Sequence, residues 1–124
     1  MTYYLTMADI LAIHEDLIER YGGAHGVRDA GALESALYRP QTGYYDDVIA
    51  EAAALWESLS QNHPFIDGNK RAAFAAVYTF LAINGLELKA DPEEIYVFIT
   101  GLFEKQAFDF AHLEAWLRTH VTGR

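Results

Sequence analysis

His63-Pro64-Phe65-Ile66-Asp67-Gly68-Asn69-Lys70-Arg71 runs directly into Ala72-Ala73-Phe74-Ala75-Ala76-Val77-Tyr78-Thr79-Phe80-Leu81-Ala82-Ile83. The second stretch carries no charge and is apolar almost all round. That is the pattern of a helix buried at the centre of a bundle. The first stretch sets a titratable base, a carboxylate, a glycine and two cations just ahead of it. A buried helix with chemistry at its N-terminus therefore organises the rest of the reading.

Outward from this helix the chain divides by caps and breakers. Thr6 opens a first helix with Asp9 in a capping box, and Ile10, Leu11, His14, Leu17 and Ile18 form its apolar stripe. It stops at Tyr21-Gly22-Gly23, and residues 22–28 form a loop. Asp29 caps a second helix over Ala30–Tyr38, ended by Pro40, and residues 40–45 form another loop. Asp46 and Asp47 start a third helix that runs to about Asn62, with Val48, Ala52, Leu55, Trp56 and Leu59 on its core face. Asn69 is expected to cap the fourth helix, Lys70 to Ile83, which Asn84-Gly85 ends. Leu86-Glu87-Leu88-Lys89 alternates and suits a very short strand. Asp91-Pro92-Glu93-Glu94 starts a fifth helix to about Glu104, and Asp109 caps a sixth through about Val121. The expectation is an all-α bundle of about six helices in a single domain over 1–124. Its third, fourth and fifth helices should form the core.

Composition narrows the chemistry. The 124 residues suit one domain, and 52% hydrophobic content can fill its core. The absence of cysteine excludes disulfides, thiolate zinc sites and a cysteine nucleophile. The opening MTYYLTMADILAIHEDL has neither a basic start nor a continuous apolar run, and no stretch is apolar enough to span a membrane. The expected location is the cytoplasm. A net charge of −9 disfavours nucleic acid and anionic membranes and suits a partner that presents basic residues. Lys70 and Arg71 stand out against that background.

Taken singly, the motif residues read as structural: a histidine at a helix end, an aspartate before glycine, an asparagine before a helix. Together they form a site. A helix N-terminus offers unpaired N–H groups and a positive partial charge, which suit phosphate. Gly68 lets backbone approach a ligand closely, and Asn69 can cap the helix or donate its amide to a phosphate oxygen. Lys70 adds charge, and Arg71 adds a planar fork suited to phosphate. Asp67 is a hard oxygen ligand for Mg²⁺, an ion held by one or two carboxylates with substrate phosphates. His63 can take a proton from an attacking hydroxyl. Pro64 fixes φ on leaving the third helix, and Phe65 points into the core and anchors the loop. Ile66 sits near its rim.

His63–Arg71 resembles the signature of the Fic/Doc superfamily, HPFx(D/E)GN(G/K)R. The segment RYGG…GVRDAGALESALYRPQ over 20–41, the length and the helix order also look like its Doc (death on curing) branch, the toxins of bacterial toxin–antitoxin pairs. Lys70 carries the assignment to that branch, since adenylyl-transferring Fic enzymes usually have glycine there. The resemblance implies an ATP- and Mg²⁺-dependent kinase that phosphorylates a threonine of elongation factor Tu and halts translation. His63 would be the general base, Asp67 the Mg²⁺ ligand, and Gly68, Asn69, Lys70 and Arg71 the phosphate site. Pro64 and Gly68 give the motif a partly Fic-like character, so transfer of AMP is the alternative; a catalytically inactive binding module is another. Thr100-Gly-Leu-Phe-Glu104 comes close to the self-inhibitory pattern (S/T)xxxE(G/N), but Lys105 follows, and the match reads as chance in a surface helix. Control is then expected from a separate antitoxin, a small protein whose tail folds on binding. Tyr44 and Tyr45 are candidate contacts for it, or ordinary packing. His14 reads as core or rim. His25, His112 and His120 have no metal-ligand spacing. Trp56, Trp116, Phe98, Phe103, Phe108 and Phe110 read as packing residues.

Overall fold

A computed structural model describes residues 1–123. Short polar side chains set most of the helix starts. In α1 (Met7–Tyr21) the Thr6 hydroxyl accepts from the Asp9 N–H at 3.1 Å, and the Asp9 carboxylate accepts from the Thr6 N–H at 2.8 Å. Four more helices follow the same logic: α2 (Ala30–Tyr38), α3 (Val48–Gln61), α5 (Pro92–Glu104) and α6 (Phe110–His120). Their caps, Asp29, Asp47, Asp91 and Asp109, each accept from the N–H three residues on at 2.8 to 3.0 Å. Each such cap contributes about 1 kcal/mol. The remaining helix, α4 (Asn69–Ile83), has no side-chain cap at all.

The core is centred on α3. Its residues Ala50 to Trp56 are all buried, and it packs chiefly against α4 and α6. Ala52 and Ala53 on α3 and Ala72, Ala73 and Ala76 on α4 are all but inaccessible. Small side chains on both helices let their backbones approach closely. Trp56 is fully buried and meets Phe74, Phe98, Phe108 and Trp116 edge-on, at 5.7, 6.1, 6.3 and 5.9 Å between ring centroids. That geometry suits the aromatic quadrupole. Arg118 forks onto the Asp47 carboxylate at 3.0 and 3.1 Å and ties the end of α6 to the start of α3.

Some expectations need correction. The core is α3, α4 and α6, not α3, α4 and α5: within α5 Leu102 alone is buried. Ile95, Phe98, Ile99 and Phe103 rest against the core but stay half-buried, and all but Phe98 also line a cleft. Hydrophobic content does not distinguish the two uses. The sixth helix ends at His120 with Val121 as its cap, where it was expected to end, and Val121–Gly123 then forms a strand, β2, antiparallel to β1 (Leu86–Leu88), with Leu86 opposite Gly123 and Leu88 opposite Val121. The partner of the short strand expected at Leu86–Leu88 is thus a segment whose pairing is invisible locally. Within the expected stripe of α1, Ile10, His14 and Ile18 are buried while Leu11 is exposed. On α4, Tyr78 and Ile83 also reach solvent. Pro40 does end α2, but it does so inside a 3-10 turn over Arg39–Thr42.

Candidate active site

The loop between α3 and α4 is shaped by residues far from it in sequence. His63 leaves α3 with φ of 47°, a left-handed conformation that costs a non-glycine residue about 1–3 kcal/mol. Arg28 holds this turn: its Nε donates to the His63 carbonyl at 2.7 Å and its Nη2 to the Asn62 carbonyl at 2.9 Å. The next peptides pair with the 22–29 loop. Arg28 and Asp29 N–H both donate to the Pro64 carbonyl, and Ile66 N–H donates to the Gly26 carbonyl. These bonds flank an antiparallel bridge between Val27 and Phe65. Pro64 and Phe65 are buried, as their role as loop anchors requires.

The Phe65 backbone faces away from that bridge and is satisfied by Asn69. Its N–H donates to Asn69 Oδ1 at 2.9 Å, and its carbonyl accepts from Asn69 Nδ2 at 3.0 Å. Asn69 is thus the first residue of α4, not its cap. Gly68 occupies the cap position with φ of 76° and ψ of 20°. An added Cβ there would sit 3.3 Å from Ile18 Cδ1, in a conformation that favours glycine. With the asparagine amide used on the loop, the first N–H groups of α4 face outward uncapped. Open N–H groups at a helix N-terminus form an anion-binding concavity.

His14 is buried, as expected of a core or rim residue, but it also supports the motif. Its ring stacks on Phe65 at 3.8 Å and 2°, and its Nε2 lies 2.8 Å from the Asp67 carbonyl. A carbonyl can only accept, so Nε2 carries the proton. The Asp67 side chain is aimed by backbone: Oδ1 accepts from Gly68 N–H at 2.9 Å and Oδ2 from Ala24 N–H at 3.2 Å. A Cβ on Gly23 would come within 2.7 Å of Oδ2. Only a glycine leaves room for the carboxylate there.

These residues share one cleft of about 990 Å³, lined by His63, Asp67, Gly68, Asn69, Lys70 and Arg71 on one side. Phe74 forms its floor, and α5 forms the far wall through Ile95, Tyr96, Ile99, Thr100, Phe103 and Glu104. Lys70 Nζ sits 4.2 Å over the Phe103 ring and Arg71 Cζ 4.5 Å over Tyr21. Among the described residues neither cation forms an ion pair. The cleft therefore has a cationic, N–H-rich end and an apolar end. That pairing suits a nucleotide, with phosphates at α4 and a base against α5.

Every motif residue expected to act is at this cleft except Pro64 and Phe65, which lie beneath it. Arg28, Gly23 and the supporting part of His14 were not singled out by their sequence setting. Their roles depend on a fold that brings residues 14–29 against 62–69. Thr100 and Glu104 belong to the cleft wall, so their helix is more than surface. Tyr45 packs on Phe110 and accepts from Arg39 Nε at 2.7 Å, which is structural, while Tyr44 is 82% exposed. A second cleft of about 630 Å³, between the N-terminal segment and α2, contains no motif residue. No group of three or more histidine or acidic side chains among the described residues could hold a metal by itself. No helix there is long and apolar enough to cross a membrane.

Comparison with known proteins agrees with the motif. The model of the Fic/DOC family matches residues 4–81. A toxin Doc from Mycolicibacterium smegmatis is 47% identical over 96 residues, covering 73% of this chain and 72% of that protein. The protein kinase doc of Escherichia phage P1 is 31% identical over 94 residues, covering 73% and 75%. The matched region contains α1 to α4 up to Leu81, with the 22–29 loop and the whole of the 63–71 motif, and on this ground the chain belongs to the Fic/Doc family.

Proposed function

We propose that this protein is a Doc-type toxin that transfers the γ-phosphoryl group of ATP to a protein hydroxyl. The observation that carries the reading is the uncapped start of α4, with Asp67, Lys70, Arg71 and His63 around the same cleft. The likeness to a phage P1 protein named as a kinase supports phosphoryl transfer over the transfer of AMP. The expected acceptor is a threonine of elongation factor Tu, and the expected consequence is arrest of translation. The likeness to a protein named as a toxin supports a paired antitoxin whose tail folds onto this chain. The expected compartment is the cytoplasm.

The residues present fit Mg²⁺ carried in by a nucleotide. Asp67 offers one carboxylate, fixed from behind by two N–H groups, beside the open nest. One or two carboxylates plus substrate phosphates are what Mg²⁺ commonly uses. When bound, the ion would supply neutralisation of the charge on the transferring phosphate. The chain's own residues do the rest. His63 accepts the proton of the attacking hydroxyl. The N–H groups of the first turn of α4, with Lys70 and Arg71, hold the phosphoryl oxygens as charge spreads over them. Phe74 and the apolar side of α5 exclude water and seat the base. Phosphoryl transfer depends mostly on such positioning and charge stabilisation.

The test is incubation with elongation factor Tu and ATP labelled in either the γ- or the α-phosphate. Label from the γ position alone is expected. Label from the α position would replace this reading with adenylylation. No label in any acceptor, together with growth arrest that survives loss of His63 and Asp67, would leave a binding module.

A further inference from the structure

We propose that Phe103 is the positioning residue for Lys70: its ring is a fixed platform that holds the ammonium at the rim of the α4 nest, ready for a phosphate oxygen. This inference rests on the phosphotransfer reading and extends it to a residue outside the motif.

The two cations of the motif both sit on aromatic faces, but the faces differ. Arg71 lies over Tyr21, which is 63% exposed and, among the described residues, stacks on no other ring. Lys70 lies over Phe103, whose ring stacks on Phe108 at 4.4 Å and 14°. Phe108 is buried and meets Trp56 at the centre of the core. The Lys70 platform is therefore braced from behind by the core, and the Arg71 platform is not.

Lysine needs such a brace more than arginine does. Its ammonium is a point charge on a flexible stem, whereas a guanidinium fork is already planar and organised. Ordering that stem on ligand binding costs rotamer entropy. Resting on the Phe103 face removes part of the cost beforehand. A ring covers one side of the ammonium and leaves donors free for a phosphate. No acidic side chain among the described residues pairs with Lys70, so the ring is the main thing that places it. The position of α5 then sets the position of the Lys70 charge.

Two measurements on the purified full chain test this. The first is NMR of the Lys70 ε-methylene, which a ring below it shifts upfield in the wild type; Phe103→Leu should abolish the shift. The second is calorimetric titration with Mg-ATP. Phe103→Leu should weaken binding about two- to five-fold, the worth of an exposed cation–π contact. Phe103→Tyr should return it to the wild-type value. In a Lys70→Ala background, Phe103→Leu should weaken binding by a clearly smaller factor than it does with Lys70 present, a coupling that a merely structural or base-seating role would not give. Should Phe103→Leu fail to fold, Phe103→Met removes the π face at similar volume. Wild-type binding of Mg-ATP that these variants leave unchanged, or that they weaken equally without Lys70, would overturn the positioning role alone. An upfield Lys70 signal in a protein that does not bind Mg-ATP would sink the phosphotransfer reading and the positioning role together.

Discussion

Asn69→Ala removes the side chain that satisfies both backbone groups of Phe65. The two bonds, at 2.9 and 3.0 Å, join a residue that is 1% exposed to the first turn of α4. Leaving a buried donor or acceptor without a partner costs about 1–3 kcal/mol per group. Both bonds are part-buried, so water recovers some of this, and a total of about 2–4 kcal/mol follows. Unfolding entropy near 60 °C is about 2.1 cal/mol/K per residue, or about 0.26 kcal/mol/K for this 124-residue chain. The melting temperature should therefore fall by about 8–15 °C, read by circular dichroism. Asn69→Asp separates structure from chemistry. Its carboxylate still accepts from Phe65 N–H, but it opposes the Phe65 carbonyl and puts a negative charge in the phosphate nest. It should melt between the wild type and Asn69→Ala, yet bind Mg-ATP more weakly than either. Melting of Asn69→Ala within about 2 °C of the wild type, on the same scale, would show that the loop does not depend on this amide.

Other perturbations probe other parts. His63→Asn keeps a residue that tolerates positive φ while removing the base, so phosphotransfer should drop about 10²–10⁴-fold with little change in melting; full activity would exclude His63 as base. Gly23→Ala places a methyl 2.7 Å from Asp67 Oδ2 and should raise the Mg²⁺ concentration needed for half-maximal activity; an unchanged Mg²⁺ titration would refute the aiming of Asp67 by this loop. Hydrogen bonds from Arg118 and from the Ala50 N–H hold the Asp47 carboxyl below its ordinary range. A depressed folded-state value adds stability above the unfolded value of about 3.9 and loses it as pH falls through the folded value. Asp47→Asn, which keeps a helix cap, should therefore melt below the wild type at neutral pH and converge with it in acid; a gap constant with pH would argue that the Arg118 pair contributes nothing.

Local chemistry was legible in the sequence wherever a residue's effect reaches only a few positions. Thr6, Asp29, Asp47, Asp91 and Asp109 are caps because the N–H they serve lies three residues away. The motif was legible because its base, carboxylate and cations are adjacent. Asn69 misled for the same reason: an asparagine before a helix ordinarily caps it, and only the buried Phe65 backbone gives its amide a better use. The exchange of α5 for α6 in the core and the β1–β2 pair depend on long-range packing. The apolar face of α5 looks the same in sequence whether it meets a core or lines a cleft. His14, Gly23 and Arg28 act on the motif loop across the fold, so their own neighbourhood does not tell what they do there.

That long-range bracing has a consequence for the order in which the protein comes into being. The His14 bond to Asp67 spans 53 residues, and the Arg28 bonds to Asn62 and His63 span 34 and 35. Non-local contacts form late, after the entropy of closing the intervening chain has been met. α3 also packs against α6, which follows it at long range in the sequence. The motif's residues are therefore all present along the chain before the contacts that shape its loop have formed.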